Sequence, residues 1–259
     1  MKSTVVVIPD SVVEPATMKD QVYRTLRALI LNGKVLPGQP LVEAQIAPQL
    51  GTSKTPLREA FLRLEADGLL ILSPRRGARV TKLSLKELAD AQYVRLILEV
   101  AAFGLAAENI TPEELAGARS HLDDMRARTL EHDWDAYEES HRRFHAGLFE
   151  ATRNPVLAKT LLDLFDRTQR YSRFCLEQDT AYWEQDERDH HATLDALERQ
   201  DAAAFDALFR RMNDTFVHYI DQALRHRDDT LARYFADLPD GLADWRASIR
   251  ARSGPAPSA

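Results

Sequence analysis

Apolar residues recur with helical spacing over most of this chain. Met18, Val22, Leu26, Leu29 and Ile30 fall on one helical face, and Gly33 with Pro37-Gly38 closes that helix. Val42 to Leu50 fits a short second helix in spite of Pro48, and Gly51-Thr52-Ser53 reads as a tight turn. A third helix is predicted from Lys54 to Asp67, with Ser53 as N-cap, apolar residues at 57, 60, 61 and 64, and Gly68 as its stop. Then the period changes. Leu69-Leu70-Ile71-Leu72, the turn Ser73-Pro74-Arg75-Arg76-Gly77 and the run Ala78-Arg79-Val80-Thr81 predict a β-hairpin. Beyond Leu83 the pattern is helical. Ser84 with Glu87 forms a capping box ahead of a helix reaching about Asn109. Thr111-Pro112 and Asn154-Pro155 each place a cap before a first-turn proline. Further helices are predicted over 112–131, 134–152, 155–177, 181–199 and 202–227.

These elements divide the chain into a loose arm (1–17), three helices with a hairpin (18–83), six helices (84–229) and an extension (230–259) holding a last amphipathic piece over 230–250. The fold class is mostly α: an N-terminal winged helix-turn-helix followed by a C-terminal all-helical antiparallel bundle.

Charge sharpens the division. The 259 residues carry a formal net charge of −6, which by itself argues against a nucleic-acid binder. Residues 18–83, however, hold 11 Lys+Arg against 5 Asp+Glu, and the chain beyond them holds 22 against 33. A small basic unit joined to a large acidic one suits a nucleic-acid-facing module on a regulatory module. One cysteine allows no internal disulfide, and no stretch has the length or apolarity of a membrane span or export signal, so a cytoplasmic location is expected.

A winged helix puts the start of its third helix into the major groove, so polar and basic residues are needed there. Ser53, Lys54, Thr55 and Arg58 meet that need, with Lys54 and Arg58 on the face opposite Leu57, Phe61 and Leu64. A helix N-terminus also favours phosphate. Arg75-Arg76-Gly77 gives the hairpin a cationic tip able to approach a phosphate backbone. The stretch LGTSKTPLREAFLRLEADGLLILSPRRGARV resembles the DNA-binding domain of the GntR family of bacterial transcription regulators, over about 65 residues. The resemblance implies DNA contacts from Lys54, Thr55, Arg58, Arg63 and Gly77, with Arg75 and Arg76 beside Gly77 in the wing. The arginine that the family often carries near the start of the preceding helix is absent from Val42-Glu43-Ala44-Gln45-Ile46-Ala47.

In the bundle, His141 and His145 lie four apart on one helical face, and His190 shares a face with Leu194 and Leu197. By spacing alone these are hydrogen-bonded core histidines or a metal site built from separate helices. FHAGLFEATRNPVL (144–157) and HHATLDAL (190–197) are similar to the FCD effector-binding domain of FadR-type GntR regulators, over about 84–229. That resemblance implies a divalent metal held by an Asp and a His four apart, plus two later histidines, with a small organic acid on the metal. Carried onto this chain, the Asp position is His141, the first His is His145, the second is His190, and the third is Met212. Three histidines suit zinc or nickel better than magnesium. The competing reading is a metal-free pocket in which the histidines bind the effector directly. Arg95 and Glu99, with Arg167 as a further candidate, are the expected effector-binding residues, since a guanidinium fork suits a carboxylate. The expected function is a ligand-responsive transcription factor, not an enzyme, binding a palindromic duplex operator as a homodimer, with a small carboxylate as effector and no membrane partner. The alternatives are an architectural DNA binder without an effector and a histidine-site metalloenzyme, for which no nucleophile motif or phosphate loop is found.

Overall fold

The computed structural model describes residues 17–74, 77–176, 179–226, 233–237 and 245. Among them are nine helices and one three-stranded sheet. The chain falls into two compact units. One gathers Gln39–Thr81 with the residues up to Ile30, and the other gathers Leu31–Gly38 with the residues from Lys82 onward.

The first unit contains α1 (Met18–Leu31), β1 (Pro40–Leu41), α2 (Glu43–Gln49), α3 (Lys54–Ala66), β2 (Leu70–Ser73) and β3 (Gly77–Val80). Its core follows the predicted stripes: Val22, Leu26 and Ile30 from α1 and Leu57, Ala60, Phe61 and Leu64 from α3 are all buried. Pro48 stands in the last turn of α2, where its missing N–H costs one bond and the helix ends one residue later. Leu50 donates to Ile46 O at 3.0 Å and Thr52 to Ala47 O at 3.0 Å, which closes the turn. Ser53 has the extended backbone of an N-cap, but its side chain accepts no capping bond. The hairpin registers Leu70 with Val80 and Ser73 with Gly77. Its third strand, β1, was not predicted: Pro40 pairs with Arg79 and Leu41 with Ala78, and two residues are too few to show a period.

The second unit is a helical bundle of α4 (Leu85–Asn109), α5 (Pro112–Glu131), α6 (Trp134–Glu150), α7 (Pro155–Leu176), α8 (Thr180–Glu198) and α9 (Ala202–His226). Helix α4 contacts α6, α7, α8 and α9. A helix surrounded in this way buries residues on more than one face, which explains its weak amphipathic signal. Thr111 forms the full capping box with Glu114, whereas Ser84 forms half of one. The Ser84 hydroxyl accepts from Glu87 N–H, but its own N–H donates to Tyr171 Oη at 3.1 Å.

The predicted last piece over 230–250 is described at residues 233–237 and at Trp245, and of these only 233–237 depart from a helix. Residues 233–237 form a turn and a β-bridge, not a helix. Leu83 N–H donates to Tyr234 O at 2.9 Å, and Ala236 N–H to Leu83 O at 2.8 Å. Asp237 then accepts from Leu85 N–H at 3.0 Å and from the Ser84 hydroxyl at 2.7 Å, meeting donors that the first turn of α4 leaves open. Trp245 is buried in the bundle core. The arm 1–16 and most of 230–259 lie outside the described residues.

Candidate metal centre and nucleic-acid interface

Helix α6 carries His141 and His145 one turn apart on its buried face, and α8 brings His190 opposite them. Their Nε2 atoms form a triangle: 3.1 Å from His141 to His145, 3.1 Å from His141 to His190, and 3.0 Å from His145 to His190. Burial, reinforced by neighbouring positive groups, pushes His141 and His145 well below the usual imidazole range, so both are neutral at pH 7. His190 Nδ1 lies 2.6 Å from the carbonyl of Asp186, which can only accept. With its proton on Nδ1, His190 turns a lone pair at Nε2 towards the other two rings.

That triangle cannot be satisfied by hydrogen bonds among neutral rings. Each Nε2 is a donor or an acceptor, and with three members at least one edge joins like with like. A cation accepting all three lone pairs removes the conflict. Ligand nitrogens about 2.1 Å from a shared ion lie roughly 3.0 Å apart at right angles and roughly 3.4 Å apart in a tetrahedron, so this spacing suits three adjacent sites of a borderline metal. The donor set therefore fits a divalent metal.

The surroundings continue the network. His141 Nδ1 is 2.7 Å from Gln169 Nε2, which is 2.9 Å from Glu138 Oε2. Rotating the Gln169 amide makes its oxygen the acceptor for both, which leaves His141 Nε2 as a lone pair. That arrangement needs a protonated Glu138, and burial pushes this carboxyl from 4.5 up to about 8. A carboxyl protonated in the folded chain and ionised in the unfolded one makes stability fall as pH rises from about 4.5 to about 8, with no further loss above. Glu138→Gln removes that term. Melting curves taken in pH steps should show the variant gaining on the wild type across this window and holding a constant lead beyond it; a gap independent of pH would contradict this.

Sequence reasoning missed Asp186. Its Oδ2 accepts from the Tyr137 hydroxyl at 2.8 Å and lies 3.4 Å from His190 Nδ1 and 3.9 Å from His141 Nε2. A carboxylate four residues before a histidine was expected on α6, where His141 stands; here the spacing recurs on α8 as Asp186 and His190. That repeat was the available signal.

The triangle borders a cavity that Arg95, Gln92, Thr168 and Met212 also line. Arg95 donates from Nε to Glu99 Oε1 at 2.7 Å and from Nη1 to the Thr168 hydroxyl at 2.7 Å, and both members of the ion pair are buried. Arg167 departs from its expected role: it is exposed and does not line this cavity, because one turn of α7 turns it outward where Phe165 and Thr168 face in.

On the first unit, Lys54, Thr55 and Arg58 are all exposed at the start of α3. Arg58 Nε reaches both oxygens of Glu43 on α2, at 2.9 and 3.0 Å. Arg63 is exposed as well; its Nη1 is 2.6 Å from Asp20 Oδ1 and its guanidinium covers the Tyr23 ring at 3.9 Å, linking α3 to α1. Gly77 is exposed with φ +77°, a backbone that side chains other than glycine rarely adopt. Arg75 and Arg76 lie outside the described residues.

Comparison with known proteins decides the family. Residues 18–80 match the model of bacterial regulatory proteins of the gntR family, and residues 90–215 match the FCD domain. The chain is a GntR-family regulator with an FCD domain. It is 27% identical over 230 residues to the HTH-type transcriptional repressor RspR of Escherichia coli, covering 88% of this chain and 94% of that one. It is 29% identical over 205 residues to the galactonate operon transcriptional repressor of the same species, covering 71% of this chain and 89% of the relative. The structure of E. coli McbR/YncC superposes with a TM-score of 0.73 at 25% identity, covering 80% of this chain and 99% of the other. A GntR/FCD regulator binds DNA and is not an enzyme, which accounts for the basic winged unit and for the lack of a nucleophile motif. Among the described residues no helix is long and apolar enough to cross a membrane.

Proposed function

We propose that this GntR/FCD chain is a cytoplasmic repressor that binds a two-fold symmetric operator as a homodimer, and whose DNA affinity is set by a small carboxylate at a metal in the bundle. The observation that carries this reading is the Nε2 triangle of His141, His145 and His190 opening onto a cavity in the FCD domain. His141, His145 and His190 would hold zinc or nickel, which would supply a site for the carboxylate, while Arg95 faces the same cavity and Glu99 holds Arg95 in place. Thr55 and Arg58 read the major groove, and Lys54, Arg75, Arg76 and Gly77 follow the phosphate backbone. Arg63 keeps α3 on α1 by its bond to Asp20. Tyr93, Val94, Ile97 and Leu105 leave an exposed apolar stripe along α4, which a second copy of the chain would cover.

Selection from a randomised duplex pool by the purified chain tests the reading. It is expected to enrich a two-fold symmetric site bound by two chains. An acid that shifts the chain's melting must then change affinity for that duplex, and the duplex must change affinity for the acid by the same factor. Enrichment of a single unrepeated half-site by one chain would overturn the dimer, and unequal factors would overturn the coupling.

A further inference from the structure

We infer that the effector is a monocarboxylate with an apolar tail, an alkyl chain or a single aromatic ring, and not a polyhydroxy acid or a polycarboxylate. This rests on the reading of the bundle cavity as the effector site. A second cavity adjoins the first, and the two share His145, His190, Phe209 and Met212. They therefore adjoin across His145 and His190, two of the three members of the triangle. The second chamber is walled by carbon: Ala102, Phe103, Ala106, Phe149, Leu197 and Phe205. Three rings stand in parallel along it, Phe103 on Phe205 at 3.8 Å between centroids and Phe205 on Phe209 at 5.6 Å.

The few polar groups there are already engaged. Glu99 holds Arg95, the Thr193 hydroxyl donates to Asp189 O at 3.0 Å, and both histidines turn Nε2 into the triangle. What remains is acceptor capacity at Glu99 and at the Thr193 hydroxyl, on one side of the chamber, so a tail hydroxylated at every carbon would leave water and find too few replacement partners. An apolar tail gains about 4-fold in affinity per buried methylene. The charges point to one carboxylate. Arg95 is matched by Glu99, and Asp189 by Arg211 at 2.8 Å. A divalent ion beside Asp186 leaves one positive charge uncompensated, and a second carboxylate would fall in the apolar chamber without a partner.

The test is calorimetric titration of the zinc-loaded full chain with acetate, butanoate, hexanoate, 3-phenylpropanoate, gluconate and citrate. Affinity is expected to rise about 4-fold per methylene from acetate to hexanoate. Gluconate, with the same number of carbons as hexanoate, is expected to bind at least about 100-fold more weakly. Gluconate or citrate binding as tightly as hexanoate, or a series flat from acetate onward, would overturn the tail while leaving the carboxylate site standing. If no acid binds, the effector reading falls with it. Ala106→Leu fills the apolar chamber and should abolish the gain from longer acids while acetate binds as before. Ala102→Val, a smaller addition on the same helix, gives the same readout if the first variant does not fold. Equal weakening of every acid in both variants would also count against the tail.

Discussion

His145→Ala is expected to empty the metal centre. The wild-type chain, loaded with zinc or nickel and desalted, should retain about one equivalent per chain, and the variant close to none. His145 belongs to two of the three edges of the triangle, so its loss leaves one donor on α6 and one on α8. Two imidazoles without a carboxylate in the set hold a borderline ion weakly, and a loss well beyond the 10- to 100-fold typical of outer partners is expected. Metal should also raise the wild-type melting temperature, since an ion that binds only the folded state stabilises it, and this shift should vanish in the variant. Two further changes separate a metal site from a merely packed cluster. Met212→His, which places imidazole at the position where the family carries its third histidine, should tighten binding. Asp186→Asn should weaken it by about 10-fold, because Asp186 fixes His190 through its neighbouring carbonyl and carboxylate. A wild-type chain that retains no zinc or nickel and melts at one temperature with or without them would sink the centre.

The sequence was more informative about elements than about partners. Helices α4 to α9 follow from caps and apolar spacing because each is long enough to show several periods, and Thr111 with Glu114 marks a boundary to the residue. Strand β1 has two residues and no period, so it appears only when β3 gives it a partner. The two α6 histidines could be placed on a buried face from their spacing, but their approach to His190 depends on how α6 and α8 pack, and spacing within one helix does not contain that. Arg167 failed for a related reason. It lies three residues from Arg170 and two from Phe165, and only the setting of α7 decides which of them turns inward. Asp186 was legible in principle, as a carboxylate four residues before a histidine.

Arg58→Ala should abolish sequence discrimination at the base pair that Arg58 reads in each half-site. Arg58 lies one turn beyond Lys54 on the exposed side of α3, and its guanidinium fork can match the two acceptors of a guanine edge in the major groove. Affinity for the selected duplex is expected to fall about 10- to 100-fold, with preference relaxed at one base pair in each half-site. Lys54→Ala should behave differently, weakening all duplexes alike and lowering the salt slope by about one. Folding should be untouched, because the Arg58–Glu43 pair is exposed and such pairs contribute little to stability. The same pair explains why Glu43 matters. Its carboxylate holds Arg58 in the free protein at 2.9 Å and must release it to the base, so Glu43 opposes binding. Glu43→Gln should therefore tighten the complex, and in the double variant with Arg58→Ala that gain should shrink, because the residue it frees is gone. Arg58→Ala binding the selected duplex as the wild type does would remove Arg58 from the reading face, and an undiminished gain in the double variant would show that Glu43 acts on the DNA directly by charge.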